Sequence, residues 1–240
     1  MVLICTKIEN FYTFNLKNLN NIPMHIHYIS EENSILNHFL TQIRDVTIQK
    51  DSMRFRKNIE RIGEIMAYEL SKTLKYKAID VQTPLGVKHT STIAEPVVLC
   101  SILRAGLALH QGFLNFFDDA ENGFVSAYRN HYNNDDAFEI LVEYQAAPSF
   151  QNKNLILIDP MLATGQSIVA VLNKLHLEHK PKEIHIAVVI AAPEGIAYLK
   201  EKLPKNCHLW VASCDEKLNL KNYIVPGLGD AGDLAYGSKL

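Results

Sequence analysis

The residues best suited to chemistry in this 240-residue chain stand in short clusters, each close behind an apolar run. Leu155–Ile158 is followed by Asp159, Pro160, Met161, Leu162, Ala163, Thr164, Gly165, Gln166 and Ser167, after which Ile168, Val171, Leu172 and Leu175 recur at helical spacing. A strand with an acid at its end, then small residues opening a helix, exposes several backbone N–H groups at the positive end of a helix dipole. That combination binds phosphate. The Gly-Lys-Ser/Thr ending of a Walker A loop is missing, so a P-loop nucleotide hydrolase is excluded. Val97–Cys100 leads into Ser101, Arg104, Ala105 and Gly106, and a guanidinium at a strand end presents forked donors to phosphate oxygens. Arg129 follows Ala127 and Tyr128 at the start of a polar stretch, from which it could close over an anion. Tyr223 to Asp233 is dense in glycine (Gly227, Gly229, Gly232) and formally matches G-x-G-x-x-G. The dinucleotide fingerprint also needs a βαβ unit and an acid ~20 positions on, which this segment does not supply. Its glycines instead let backbone approach a ligand closely. Taken singly, the first cluster serves equally as an ordinary strand-to-helix turn and each arginine is more often ion-paired or solvated, whereas a flexible tail fits the glycine-dense segment poorly because Ile224, Val225 and Pro226 look ordered.

The elements that must position these clusters are legible from periodicity. Ile35, Leu36, Phe39, Leu40 and Ile43, then Phe55, Ile59, Ile62, Met66, Leu70 and Leu74, mark two amphipathic helices, with Ser52 as the expected N-cap of the second. From about residue 78 short β-rich runs alternate with helical ones. The runs are Val97–Cys100, Phe124–Tyr128, Leu155–Ile158, Ile184–Ile190 and His208–Ser213; the helical stretches are 106–117, 167–176 and 194–203, the last beginning beside Pro193. Continuous apolar strands separated by helices predict an α/β fold with a parallel sheet covered on both faces. Phe138–Tyr144 is expected to pair with Phe124–Tyr128 as a projecting hairpin. Ligands in such sheets bind beyond the carboxyl ends of the strands, where every cluster above lies.

Composition narrows the function classes. Twenty-four Lys and Arg against 26 Asp and Glu give a formal net charge of −2, without the basic excess of a nucleic-acid binder. No run approaches the ~18 apolar residues of a membrane span. Cys5, Cys100, Cys207 and Cys214 form no C-x-x-C, and Lys7 follows the short apolar start, the wrong order for a signal peptide. A reducing cytoplasm is the expected location. His25-x-His27 has no third ligand at metal-binding spacing.

Together the clusters resemble the uracil phosphoribosyltransferase family over about residues 28–240. The carrying segments are Ile102–Gly106, Tyr128-Arg129-Asn130, Asp159–Gly165, Ala191–Gly195 and Tyr223–Asp233, all in the family's order. The resemblance implies a phosphoribosyltransferase-like central parallel sheet flanked by helices, with a β-hairpin arm and an N-terminal helical pair. The implied reaction joins uracil to phosphoribosyl pyrophosphate, giving UMP and pyrophosphate in pyrimidine salvage. By similarity Arg104 and Arg129 face the pyrophosphate, and Asp159 faces the ribose hydroxyls. The loop from Pro160 through Met161, Leu162, Ala163, Thr164, Gly165, Gln166 and Ser167 holds the phosphoribosyl part. Ile224, Gly229 and Ala231 meet uracil through backbone groups, with Asp230 beside the ribosyl substrate. Mg2+ arrives on the pyrophosphate oxygens, with no metal ligated directly by the protein. GTP is a candidate effector, and a homodimer or higher homo-oligomer is expected. A module that senses phosphoribosyl pyrophosphate or a nucleotide without catalysis, or a transferase for another base, is the alternative.

Four positions depart from the family pattern: Gln166 replaces a second glycine, Ser101 a proline, and His131-Tyr132 an acidic pair. None removes a required charge. Residues 1–23 have no counterpart in the family's short forms and are expected to be an extension to a phosphoribosyltransferase domain spanning 24–240.

Overall fold

Every residue of the strand Asn154–Ile158 is buried, yet neighbours face opposite cores, and this two-sidedness organises the fold. In the computed structural model, which describes residues 24–131, 138–175, 180–204 and 206–239, Leu155 and Leu157 pack on one side of the sheet and Ile156 and Ile158 on the other. Side chains alternate across a strand, so an unbroken apolar run is what a sheet covered on both faces requires.

The elements in chain order begin with β1 (His25–Tyr28), α1 (Ile35–Arg44), α2 (Ser52–Ser71), β2 (Tyr76–Thr83), β3 (Gly86–Ile93), β4 (Val97–Leu103) and α3 (Leu107–Leu114). They continue with β5 (Glu121–Ser126), β6 (Tyr128–His131), β7 (Phe138–Leu141), β8 (Gln145–Ala146), β9 (Asn154–Ile158), β10 (Met161–Leu162) and α4 (Gln166–Lys174). The last are β11 (Glu183–Ala191), α5 (Pro193–Lys202), β12 (Cys207–Cys214), β13 (Lys217–Leu218), β14 (Ile224–Val225) and α6 (Ala231–Tyr236). The central sheet runs β1-β12-β11-β9-β4-β5-β8, parallel throughout except for the β5–β8 pair, and β10 joins it beside β11. One core lies between the sheet and α1, α2, α3 and α6; the other lies under α4 and α5.

The structure corrects the sequence reading in four places. The sheet begins before the helical pair, because β1 pairs in parallel with β12 through His25–His208 to Tyr28–Val211. Four residues alternating His and Ile or Tyr are too short a pattern to assign alone. Residues 76–93 form an antiparallel hairpin, β2–β3, whose side chains are almost all exposed or half-exposed; with no buried face it shows no apolar alternation. The expected arm divides in two: β5 pairs with β8 inside the central sheet, whereas β6 pairs with β7 as a separate ribbon. Finally, the N-cap of α2 is Asp51, whose carboxylate accepts from the Arg54 N–H at 3.1 Å, and Ser52 is the first helical residue. A carboxylate there also meets the helix dipole favourably. Residues 1–23 lie outside the described residues, as do 132–137, which include Tyr132.

Candidate active site

The carboxyl ends of β4, β5 and β9 converge with the segment after β14 around a cavity of about 970 Å3. Arg104, Asp159, Met161, Ala163, Thr164, Gly165, Ser167, Ile224, Gly229, Asp230 and Ala231 all line it. With Ala127 and Tyr128, which also line it, residues of four clusters far apart in sequence share one cavity, of the size that holds a small-molecule ligand.

Asp159 is aimed by backbone. Its own N–H bonds to the Ala187 carbonyl at 3.1 Å, and the next carbonyl, of Pro160, accepts from both Val189 and Ile190 at 3.0 Å. Proline has no N–H to offer, so the β9–β11 ladder breaks at this dipeptide and resumes at β10. The Asp159 side chain accepts from the Met161 N–H at 3.2 Å. Burial pushes its carboxyl up to about 7, only partly opposed by that hydrogen bond. A carboxyl poised near neutral pH in a cleft is a mark of function.

Gly165 makes the turn that opens α4, with φ +79°, a left-handed conformation that side chains disfavour. A Cβ there would also come within 3.2 Å of the Gly195 carbonyl. The start of α4 therefore lies close against α5, and Thr164, Gly165 and Ser167 line the cavity there. Pro160 and Leu162 are buried beneath the loop and hold it to the sheet, and Gln166, the first residue of α4, does not line the cavity.

Arg104 reaches across to the far wall. Its Nη2 donates to Asp233 Oδ1 at 2.9 Å and to the Gly237 carbonyl at 2.5 Å, while its buried Nε has no partner among the described residues. Gly232, without a side chain, lies beside that nitrogen; a Cβ there would stand 4.0 Å from it. Arg129 lies in β6 opposite Ile140, next to Tyr128, which lines the cavity; its side chain is outside the described part of the structure.

The segment 224–231 is held by residues the sequence reading missed. Arg44, at the end of α1, donates from Nη1 to Asp215 Oδ2 and to the Gly227 carbonyl, both at 2.9 Å, and from Nη2 to Asp215 Oδ1 at 2.5 Å. Asp215 Oδ2 also accepts from the Gly227 N–H at 2.7 Å. Gly227 has φ +63°, and a Cβ would meet the Ile224 carbonyl at 2.2 Å, so the turn admits only glycine. Asp215 follows β12 directly, the same strand-end position that drew attention to Asp159; Arg44 gave no such signal. Lys221, Asn222 and Lys239 also line the cavity without having been singled out.

A model of the uracil phosphoribosyltransferase family matches residues 30–238. The chain belongs to the uracil phosphoribosyltransferase family. A uracil phosphoribosyltransferase from Porphyromonas gingivalis is 50% identical over 217 residues, covering 90% of this chain and 100% of that protein. One from Thermococcus gammatolerans is 38% identical over 216 residues, covering 89% and 94% respectively. Among solved structures, that of the AQ2163 protein from Aquifex aeolicus superposes with a TM-score of 0.79 at 32% identity, covering 88% of this chain and 98% of that one. The family is one of pentosyltransferases, and the cavity has the two-part lining such an enzyme needs. The Asp159–Ser167 loop forms one wall of the cavity and the Ile224–Ala231 segment the other. Among the described residues no helix is long and apolar enough to cross a membrane.

Proposed function

We propose that the protein transfers the 5-phosphoribosyl group from phosphoribosyl pyrophosphate to uracil, giving UMP and pyrophosphate. The observation that carries this is the shared cavity: the Asp159–Ser167 loop and the Ile224–Ala231 segment face one space, with Arg104 beside both.

The chemistry follows from charge. Breaking the C1′–oxygen bond builds cationic character on the ribose and negative charge on the leaving diphosphate. Arg104 stabilises the second, and its unpartnered Nε is a donor ready for a phosphate oxygen. Arg129 would add to this from the β6–β7 ribbon. Asp159, once ionised, accepts hydrogen bonds from the ribose hydroxyls and places negative charge beside the developing cation. The N–H groups from Ala163 to Ser167 hold the 5′-phosphate at the start of α4. No protein nucleophile is required.

Uracil offers an N3–H donor beside an O4 acceptor, where cytosine offers the reverse. Backbone groups of Ile224, Gly229 and Ala231 fitted to uracil leave cytosine facing unpaired buried groups, at about 1–3 kcal/mol for each. Single carboxylates rather than a cage line the cavity, which would suit an Mg2+ ion carried by the substrate's diphosphate. The ion supplies charge neutralisation of the leaving group; Arg104 and Asp159 position what it carries. A cytoplasmic enzyme is the reading we adopt. A homo-oligomer is supported by the β2–β3 hairpin, since a two-stranded ribbon with both faces bare is marginal by itself.

The test is release of pyrophosphate from phosphoribosyl pyrophosphate with uracil, cytosine, orotate and hypoxanthine, each with and without GTP. Uracil-specific turnover is expected, falling about 100-fold or more in Arg104→Ala, the scale of losing a transition-state donor. Turnover with orotate or hypoxanthine but not uracil would overturn the base assignment. Binding of both substrates with no product would indicate a sensing module instead.

A further inference from the structure

Beyond the family's motif residues, the cavity is lined by a cation at the end of the segment that leaves α6. Lys239 lies on the cavity wall, with Nζ 3.6 Å from Asp230 Oδ2. Its path is set by two arginines: Arg56 Nη1 donates to the Ala235 carbonyl at 2.6 Å, and Arg104 Nη2 to the Gly237 carbonyl at 2.5 Å. Arg56 therefore fastens α6 and Arg104 the segment that leaves it, with Lys239 just past the second fastening and on the cavity lining.

We propose that Lys239 is a substrate-contacting cation that exchanges its resting ion pair with Asp230 for the diphosphate of phosphoribosyl pyrophosphate. The inference rests on the activity proposed above and deepens it. At rest the pocket pairs its own charges: Arg104 with Asp233 and Lys239 with Asp230. Both pairs are partly exposed, so each is worth little and is readily given up. A diphosphate carries more negative charge than either carboxylate and competes for both cations at once. The exchange also releases Asp230 toward the ribosyl side of the substrate while its Oδ1 continues to cap α6 through the Asp233 N–H at 2.9 Å. Lysine suits this role because its ammonium is a mobile point charge that needs no fixed geometry.

The experiment is steady-state kinetics of Lys239→Gln and Lys239→Arg with both substrates varied, and inorganic pyrophosphate as product inhibitor. In Lys239→Gln we expect the KM for phosphoribosyl pyrophosphate and the inhibition constant of pyrophosphate each to rise about tenfold, equal to about 1.4 kcal/mol. The KM for uracil should stay within about twofold, and Lys239→Arg should recover most of the loss. An unchanged KM for phosphoribosyl pyrophosphate would overturn the proposal. So would an equal rise in the uracil KM, which is what a merely structural segment would give. If the unaltered protein shows no turnover, the activity reading fails by itself. Calorimetric titration of both proteins with inorganic pyrophosphate then decides the Lys239 contact, with equal affinities overturning it.

Discussion

The two walls of the cavity are built in opposite ways. The loop from Asp159 to Ser167 is organised by its own sequence and the strand beside it: Asp159 bonds to Met161 two residues on, and Gly165 turns the chain into α4. The segment from Ile224 to Ala231 is held from a distance, by Arg44 from α1 and Asp215 from the end of β12. A phosphate needs N–H groups in one place, which a strand–turn–helix supplies locally. On the proposed function the second wall reads a planar base through backbone, which needs a cradle of fixed shape, and a short irregular segment gets that shape from outside.

If that contrast holds, damage to each wall should register on a different substrate. The largest effect is expected from Asp215→Ala, which leaves Arg44 and the Gly227 N–H without their buried partner, Asp215 being 3% exposed. Loss of about 3 kcal/mol of stability is expected, read as a fall in Tm, together with a KM for uracil raised far more than that for phosphoribosyl pyrophosphate. Asp215→Asn, which can still accept from Gly227, should separate the two by restoring most of the Tm. Equal damage to both substrates in a folded variant would break the contrast. Gly165→Val comes next: a branched side chain at φ +79° costs about 1–3 kcal/mol and shifts the start of α4. Here the KM for phosphoribosyl pyrophosphate should rise and that for uracil should not.

A subtler test uses pH. With the Asp159 carboxyl raised to about 7 in the free protein, kcat/KM for phosphoribosyl pyrophosphate should climb as pH rises through 7. Asp159→Asn should be slower at every pH and lose that step. A flat wild-type profile from pH 5.5 to 8.5 would count against an ionised Asp159.

The smallest effect concerns a place where burial shifts a titration away from the candidate site. His25, His27 and His185 stack on His208, and His27 also on Trp210, across β1, β12 and β11; His27 and Trp210 ring centroids are 3.8 Å apart, and His27 Nε2 lies 3.1 Å from His208 Nδ1. Burial and the neighbouring imidazoles lower the His208 pKa to about 4. The unfolded chain takes up this proton first, near pH 6.5, so stability is lost as pH falls from about 6.5 toward 4. Asp159, with its raised pKa, acts in the other direction over part of that range. The difference between wild type and His208→Phe isolates the histidine. Acidification to pH 4.5 should lower the wild-type Tm by about 2–4 °C more than that of His208→Phe, corresponding to roughly 1 kcal/mol. Both groups are driven toward neutrality by burial. Only Asp159 faces a ligand-sized space, so a shifted titration marks a site only where a cavity accompanies it.

Sequence by itself determined the strands and helices that carry a strong period, the parallel sheet, and the local wall of the cavity, because each depends on residues within a few positions of one another. Apolar runs, Asp159-Pro160 and Gly165 report directly on the backbone they require. Tertiary structure alone decided the rest. It added β1 to the sheet edge, left β2–β3 bare, and brought Arg44 to Asp215 across 171 positions of sequence. It also tied Arg104 to the segment after α6, which puts Lys239 on the cavity lining. The physical reason is that a buried ion pair or a fastened segment satisfies hydrogen bonds between distant segments, and no local pattern records where a partner from another segment will arrive.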